Sequence, residues 1–127
     1  MQTNLAPGTS GYDSLLWFGE RVGELSGGQL TVDVFPTGEL YPTLEGLEAI
    51  AAGVTELAVM SAGYYTGKIG TIANFEGGVP GGSKTAQERY NFFYREGFIK
   101  MIRDVFAAHG AYYLAPHLSS GWHMYSK

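Results

Sequence analysis

The sequence predicts an α/β fold, a mainly parallel sheet flanked by helices, and three observations carry that prediction. Apolar residues recur at helical spacing across residues 12–26 and again across 44–54. Short apolar or alternating runs at 2–5, 30–35 and 56–61 read as strands between them. The resulting order, strand–helix–strand–helix–strand in about sixty residues, is the pattern that builds a parallel sheet with helices on its faces.

Residues 2–5 form a short edge or first strand, followed by the turn signals Pro7-Gly8-Thr9-Ser10-Gly11. A helix over 12–26 follows. Its apolar stripe is Leu15, Phe18, Val22 and Leu25, Glu20 and Glu24 lie off that stripe, and Gly27-Gly28 supplies a left-handed stop. Residues 30–35 alternate at period two and end at Pro36, which makes Leu30, Val32 and Val34 the expected core face of a strand. A second helix runs through Leu44, Leu47, Ile50, Ala51 and Val54, with Thr43 as its expected N-cap and Gly53 near its end. A third strand covers 56–61.

The stretch 63–82 reads as loop, and loops on such scaffolds often carry function. A long helix is expected over 83–108, capped by Ser83, interrupted at Gly97, and burying Tyr90, Phe93, Met101, Ile102, Val105 and Phe106. Residues 111–118 and 122–126 read as strands separated by Ser119-Ser120-Gly121. Nineteen glycines punctuate these segments without forming a linker, so one domain without repeats is the simplest organisation.

Composition excludes several classes of function. A chain of 127 residues, 45% hydrophobic, buries somewhat under ~70% of its unfolded surface and needs neither disulfide nor structural metal. It contains no cysteine. A net charge of −4 with eight scattered Lys and Arg gives no basic stripe for a phosphate backbone, so nucleic acid is not an expected partner. No apolar run approaches the roughly 18 residues of a spanning helix.

Several residue patterns invite a catalytic reading and fall short. Gly78-Val79-Pro80-Gly81-Gly82-Ser83-Lys84-Thr85 nearly spells a phosphate-binding loop, but Ser83 stands where the second glycine must let backbone N–H groups wrap the phosphates. His109, His117 and His123 have no ligand-type spacing, and no metal site is expected. Ser10 lacks the surroundings of a nucleophile elbow and serves the start of the first helix instead. Most acids fall on helix faces. Glu39 and Glu76 are the exceptions, standing in loops after predicted strands, at the carboxyl edge where α/β sheets place ligands. Tyr64, Tyr65, Phe75 and Trp122 lie outside the clearest helical stripes and suit the wall of a small-molecule pocket.

Six segments together carry a resemblance. Residues 26–32 (SGGQLTV), 35–40 (FPTGEL) and 47–57 (LEAIAAGVTEL) resemble the opening of TRAP transporter solute receptors. Tyr64-Tyr65-Thr66-Gly67-Lys68, the Gly78-Val79-Pro80-Gly81 loop and Ser120-Gly121-Trp122 are similar to the branch that binds 2-oxo acids and related carboxylates. The resemblance covers essentially the whole chain. It implies a periplasmic, extracytoplasmic binding protein, not an enzyme, in which two α/β lobes close on a 2-oxo acid, hydroxy acid or dicarboxylate. Membrane subunits driven by an ion gradient then take up the ligand.

Family members are more than twice this long, so residues 1–127 are expected to form the single N-terminal lobe, ending at the crossover toward a second. A signal peptide would precede them. The resemblance places Tyr64 and Tyr65 on the ligand face beside Leu5 and Ala6 of the first loop. It also places Leu118 and Ser119, just before Gly121 and Trp122, where family members contact ligand or a bound cation such as sodium. Leu118 has no side-chain donor or acceptor, which leaves Ser119 or backbone carbonyls. The family's ligand-binding arginine belongs to a segment beyond Lys127, and Arg89, Arg95 and Arg103 do not match it. No cofactor is expected.

A lone lobe exposes apolar surface, which predicts a homo-oligomer. The competing readings are a stand-alone interaction or oligomerisation domain and, behind it, a nucleotide-binding enzyme using Gly78 to Thr85.

Overall fold

The computed structural model describes residues 1–77 and 82–117; the predicted strand at 122–126 and the end of the one at 111–118 lie outside them. The chain divides into two compact units, Met1–Met60 and Ser61–Lys127.

The first unit is built on three short parallel segments. Strand β1 (Gln2–Thr3) pairs with β2 (Ala58–Val59) in the register Gln2 to Ala58 and Thr3 to Val59. On its other side, Gln2 forms a single parallel bridge with Phe35, through Thr3 N–H to Phe35 O at 3.1 Å and Phe35 N–H to Met1 O at 2.9 Å. Helices α1 (Ser10–Leu25) and α2 (Gly46–Ala51) are the connections between these segments. The α/β order expected from the pattern is therefore present, on a sheet much shorter than the apolar runs suggested.

Helix α1 is capped by Thr9, not Ser10: the Thr9 hydroxyl accepts from the Tyr12 N–H. It ends where the glycines demand, with Gly27 at φ 64° and Gly28 at φ 81°. Its buried face is Tyr12, Leu15 and Gly19, rotated from the expected stripe so that Leu25 is exposed. Gly19 explains the rotation. A Cβ built there would lie 2.7 Å from the Val32 carbonyl oxygen, so the helix crosses the 30–35 segment in near-backbone contact. A glycine in mid-helix costs about 1 kcal/mol against alanine, and that close approach is the compensation. The Tyr12 hydroxyl donates to Val34 O at 3.2 Å from the same face. With its ladder limited to Phe35, the predicted strand keeps Val32 and Val34 half-buried, while Leu30 is 60% exposed, contrary to its expected place in the core.

Thr43 does not cap α2. Its hydroxyl pairs with that of Thr37 at 2.7 Å, and the N-cap is Glu45, without a side-chain bond.

In the second unit the stretch expected to be loop is largely helical. A 3-10 turn (Ala62–Tyr65), α3 (Thr66–Ile69) and α4 (Ile72–Glu76) follow one another. The buried residues Ala62, Tyr65, Ile69, Ala73 and Glu76 recur every three or four positions along them. Gly70, at φ 80°, breaks the run between α3 and α4.

The long helix breaks as expected into α5 (Ala86–Tyr94) and α6 (Phe98–Ala107), with Gly97 at φ 80° in the corner. Its cap is Thr85 and not Ser83: the Thr85 hydroxyl accepts from Glu88 N–H while the Glu88 carboxylate accepts from Lys84 N–H. Phe93, Ile102 and Phe106 are core residues, whereas Tyr90 and Met101 are exposed. Residues 111–117 form no strand. The Arg103 guanidinium donates to Tyr113 O and Leu114 O, both at 2.9 Å, and so occupies carbonyls that a ladder would use.

Candidate functional site

The carboxyl ends of β1 and β2 are where a parallel sheet presents a ligand crevice. A small cavity lies there in the first unit, its walls including Asn4, Thr37, Tyr41, Thr43 and Met60. Gln2 shapes it. Its amide donates to Tyr41 O at 2.9 Å and accepts from Leu40 N–H at 2.6 Å, folding the 37–43 loop back over the strand ends. The lining carries hydroxyl and amide groups and no Lys, Arg, His, Asp or Glu. The space, about 10 Å³, is that of about one water, and its walls supply no charge to an anion.

Of the residues picked from the sequence, Leu5 and Ala6 follow directly on β1. Leu5 is half-buried, with its N–H donating to Thr3 Oγ1 at 3.1 Å, and Ala6 is exposed. Glu39 is exposed in the turn after Pro36. Asn4, Thr37 and Thr43 were not singled out as site residues, although the sheet-edge rule applied to β1 points at Asn4.

In the second unit Tyr64 and Tyr65 part company. Tyr65 is 1% exposed, with Lys68 Nζ 5.8 Å from its ring centroid, whereas Tyr64 is 57% exposed. The turn that carries them begins at Ala62, whose N–H donates to the Glu76 carboxylate at 3.4 Å. Glu76, singled out as a loop acid, is the last residue of α4 and is 8% exposed. Its other carboxylate oxygen accepts from the Tyr113 hydroxyl at 3.0 Å, and its backbone carbonyl accepts from the Arg89 guanidinium.

Burial, then the negative charge of Glu76 and the hydrogen bond to it, push the Tyr113 phenol above its ordinary pKa, so it stays a donor. Burial also holds the His117 imidazole below its ordinary value, against the opposing pull of Glu76. Tyr113 and Arg89 had no part in the site read from the sequence. Thirty-seven positions separate Glu76 from Tyr113, and no local pattern links them.

Leu118, Ser119 and Trp122 lie outside the described residues, as do residues 78–81 of the near-phosphate loop and His123. The Thr85 hydroxyl of that loop is committed to capping α5. Among the described residues no group of three or more His, Cys, Asp or Glu is placed to hold a metal ion, and no helix is long and apolar enough to cross a membrane.

The model of the family described as bacterial extracellular solute-binding protein, family 7, matches residues 1–127. A monocarboxylate 2-oxoacid-binding periplasmic protein of Nostoc sp. is 36% identical over 88 residues, covering 69% of this chain and 24% of that protein. Two solved structures share the fold. A TRAP periplasmic solute-binding protein from Rhodobacter sphaeroides, in an apo open state, superposes with a TM-score of 0.80 at 19% identity over 86% of this chain and 34% of its own. A TRAP transporter solute-binding protein from Bordetella bronchiseptica, a dimer with calcium and picolinate in one active site, gives 0.77 at 25% identity over 86% and 32%. The chain thus spans about a quarter to a third of the length of these relatives.

Proposed function

The chain belongs to the bacterial extracellular solute-binding proteins of family 7, and from that membership we propose that it is the N-terminal lobe of an extracytoplasmic TRAP receptor for a small carboxylate. The role is capture and release of the ligand for membrane subunits, without catalysis. The observation that carries the reading is the match of the family model to residues 1–127, and the small uncharged cavity at the carboxyl ends of β1 and β2 marks the sheet edge where such folds meet a ligand. That edge carries no cationic side chain, so the carboxylate is left to a cationic group elsewhere in the receptor. A 2-oxo monocarboxylate is the favoured class, because the Nostoc relative is named for binding one. On the resemblance, Leu5, Ala6, Tyr64 and Tyr65 are proposed contacts; each within its own unit, Leu5 is half-buried, Ala6 and Tyr64 are exposed and Tyr65 is buried. Leu118, Ser119 and Trp122 are proposed contacts on the resemblance alone.

The test is thermal unfolding of the full-length protein with a panel of 2-oxo, hydroxy and dicarboxylic acids. A ligand held only by the native state adds about 2.7 kcal/mol at one hundred times its Kd, so at least one acid is expected to raise Tm by several degrees. No rise with any acid in the panel overturns the receptor reading.

The chain of residues 1–127 alone is expected to self-associate, because Leu25, Leu30, Leu44 and Val54 are exposed in the first unit, and Phe75, Tyr90, Met101, Tyr112 and Leu114 in the second. Light scattering at micromolar concentration checks this, and a monomer refutes it.

A further inference from the structure

We propose that Glu76 is a positioning residue that holds the Tyr64–Tyr65 turn in its ligand-ready conformation; this rests on the receptor reading above. A 3-10 turn has poorer hydrogen-bond geometry than an α-helix and needs external support to keep one shape. Helix α4 supplies that support at both ends of the turn. At the start, the Glu76 carboxylate accepts from Ala62 N–H at 3.4 Å. At the end, the Thr66 hydroxyl lies 2.9 Å from Gly63 O and 3.0 Å from Asn74 Oδ1.

Glu76 is in turn fixed from two further elements, by the Tyr113 hydroxyl at 3.0 Å and by Arg89 of α5 on its backbone carbonyl. The buried Tyr65 ring anchors the turn in the core, and the neighbouring Tyr64 ring is delivered to the surface. Packing alone does not call for a carboxyl at this position. An apolar side chain fills the same volume without the desolvation cost of a buried polar group. The hydrogen bonds, and the backbone they hold, are what the carboxyl adds.

The experiment is isothermal titration of the full-length protein with pyruvate, 2-oxobutyrate and 2-oxoisovalerate, for the unaltered protein and for Glu76→Leu, Glu76→Gln and Tyr64→Ala. Glu76→Leu is expected to weaken binding about tenfold, the scale on which a lost supporting contact is felt at a site. Glu76→Gln should restore most of that loss, since its amide oxygen can accept from Ala62 while its NH2 donates to the Tyr113 hydroxyl. In the Tyr64→Ala background, Glu76→Leu should weaken binding little further, because the residue it positions is gone. A glutamine variant no better than the leucine one, or losses that simply multiply in the double variant, overturns the proposal. If Glu76→Leu does not fold, Tyr113→Phe takes its place in the same cycle. Failure of the unaltered protein to bind any of the three acids overturns the 2-oxo acid reading itself, a result distinct from binding that is indifferent to Glu76.

Discussion

Replacing Phe93 by alanine is expected to lower the unfolding free energy by about 3–5 kcal/mol, the usual cost of truncating a fully buried aromatic. Phe93 is 0% exposed and sits at the centre of the second unit's aromatic cluster. Its ring meets Phe98 edge-on at 5.0 Å and Phe92 edge-on at 5.9 Å, and stacks with Tyr113 at 6.2 Å. Three geometries are lost together with the buried area, and such pairs contribute about 0.5–1.5 kcal/mol each beyond burial. The rings come from both sides of the Gly97 corner and from the 111–117 segment, so the cavity left behind cannot close by moving one helix alone. Tyr90→Ala is the comparison. Tyr90 is exposed on the same helix, its ring tilted against that of Tyr94 at 4.4 Å, and should cost no more than about 1 kcal/mol. Urea denaturation measures both. Equal midpoint shifts for the two variants would show that Phe93 is not the keystone of this unit.

Removing the hydroxyl of Tyr113 is expected to cost about 1–3 kcal/mol, because Tyr113→Phe strands one oxygen of a buried carboxylate. Glu76→Leu should cost a similar amount, about 1–3 kcal/mol, by leaving the Tyr113 hydroxyl and the Ala62 N–H without their acceptor. The double variant is the informative one. With the hydroxyl and the carboxylate both gone, no oxygen of that pair is left buried alone, and the combined loss should fall short of the sum by about 0.5–3 kcal/mol. Additive losses in chemical denaturation would mean that the two groups do not act as a pair. Glu76→Leu also enters the binding cycle, so its loss of stability and its loss of affinity can be compared on one protein.

The parts of this fold that were legible in the sequence are those determined by near neighbours. The left-handed stop at Gly27 and Gly28, the break at Gly97 and the parallel strand–helix order all follow from dihedral preferences and apolar spacing within a few residues. The helical turns at 62–76 were written in the same code, in the spacing of Ala62, Tyr65, Ile69, Ala73 and Glu76, but Gly63, Gly67, Gly70 and Gly77 made the stretch read as loop. Cap identities shifted by one or two residues for a related reason: Thr9, Ser10, Ser83 and Thr85 all have cap-forming side chains, and only the chain's path selects which hydroxyl faces the free N–H groups.

Family membership, too, was readable from residues in order along the chain, since the six segments that carried the resemblance are contiguous stretches. The tertiary structure alone decided where long-range partners meet. It limited the 30–35 strand to one bridge, with α1 seated on it at Gly19, and gave Arg103 the carbonyls of the 111–117 segment. It also turned Glu76 from a loop acid into a buried acceptor for Tyr113 and Ala62. Periodicity reports which face of an element is apolar; it contains no information on which distant backbone or hydroxyl will satisfy a polar group on that face, and that choice is made only when the elements pack.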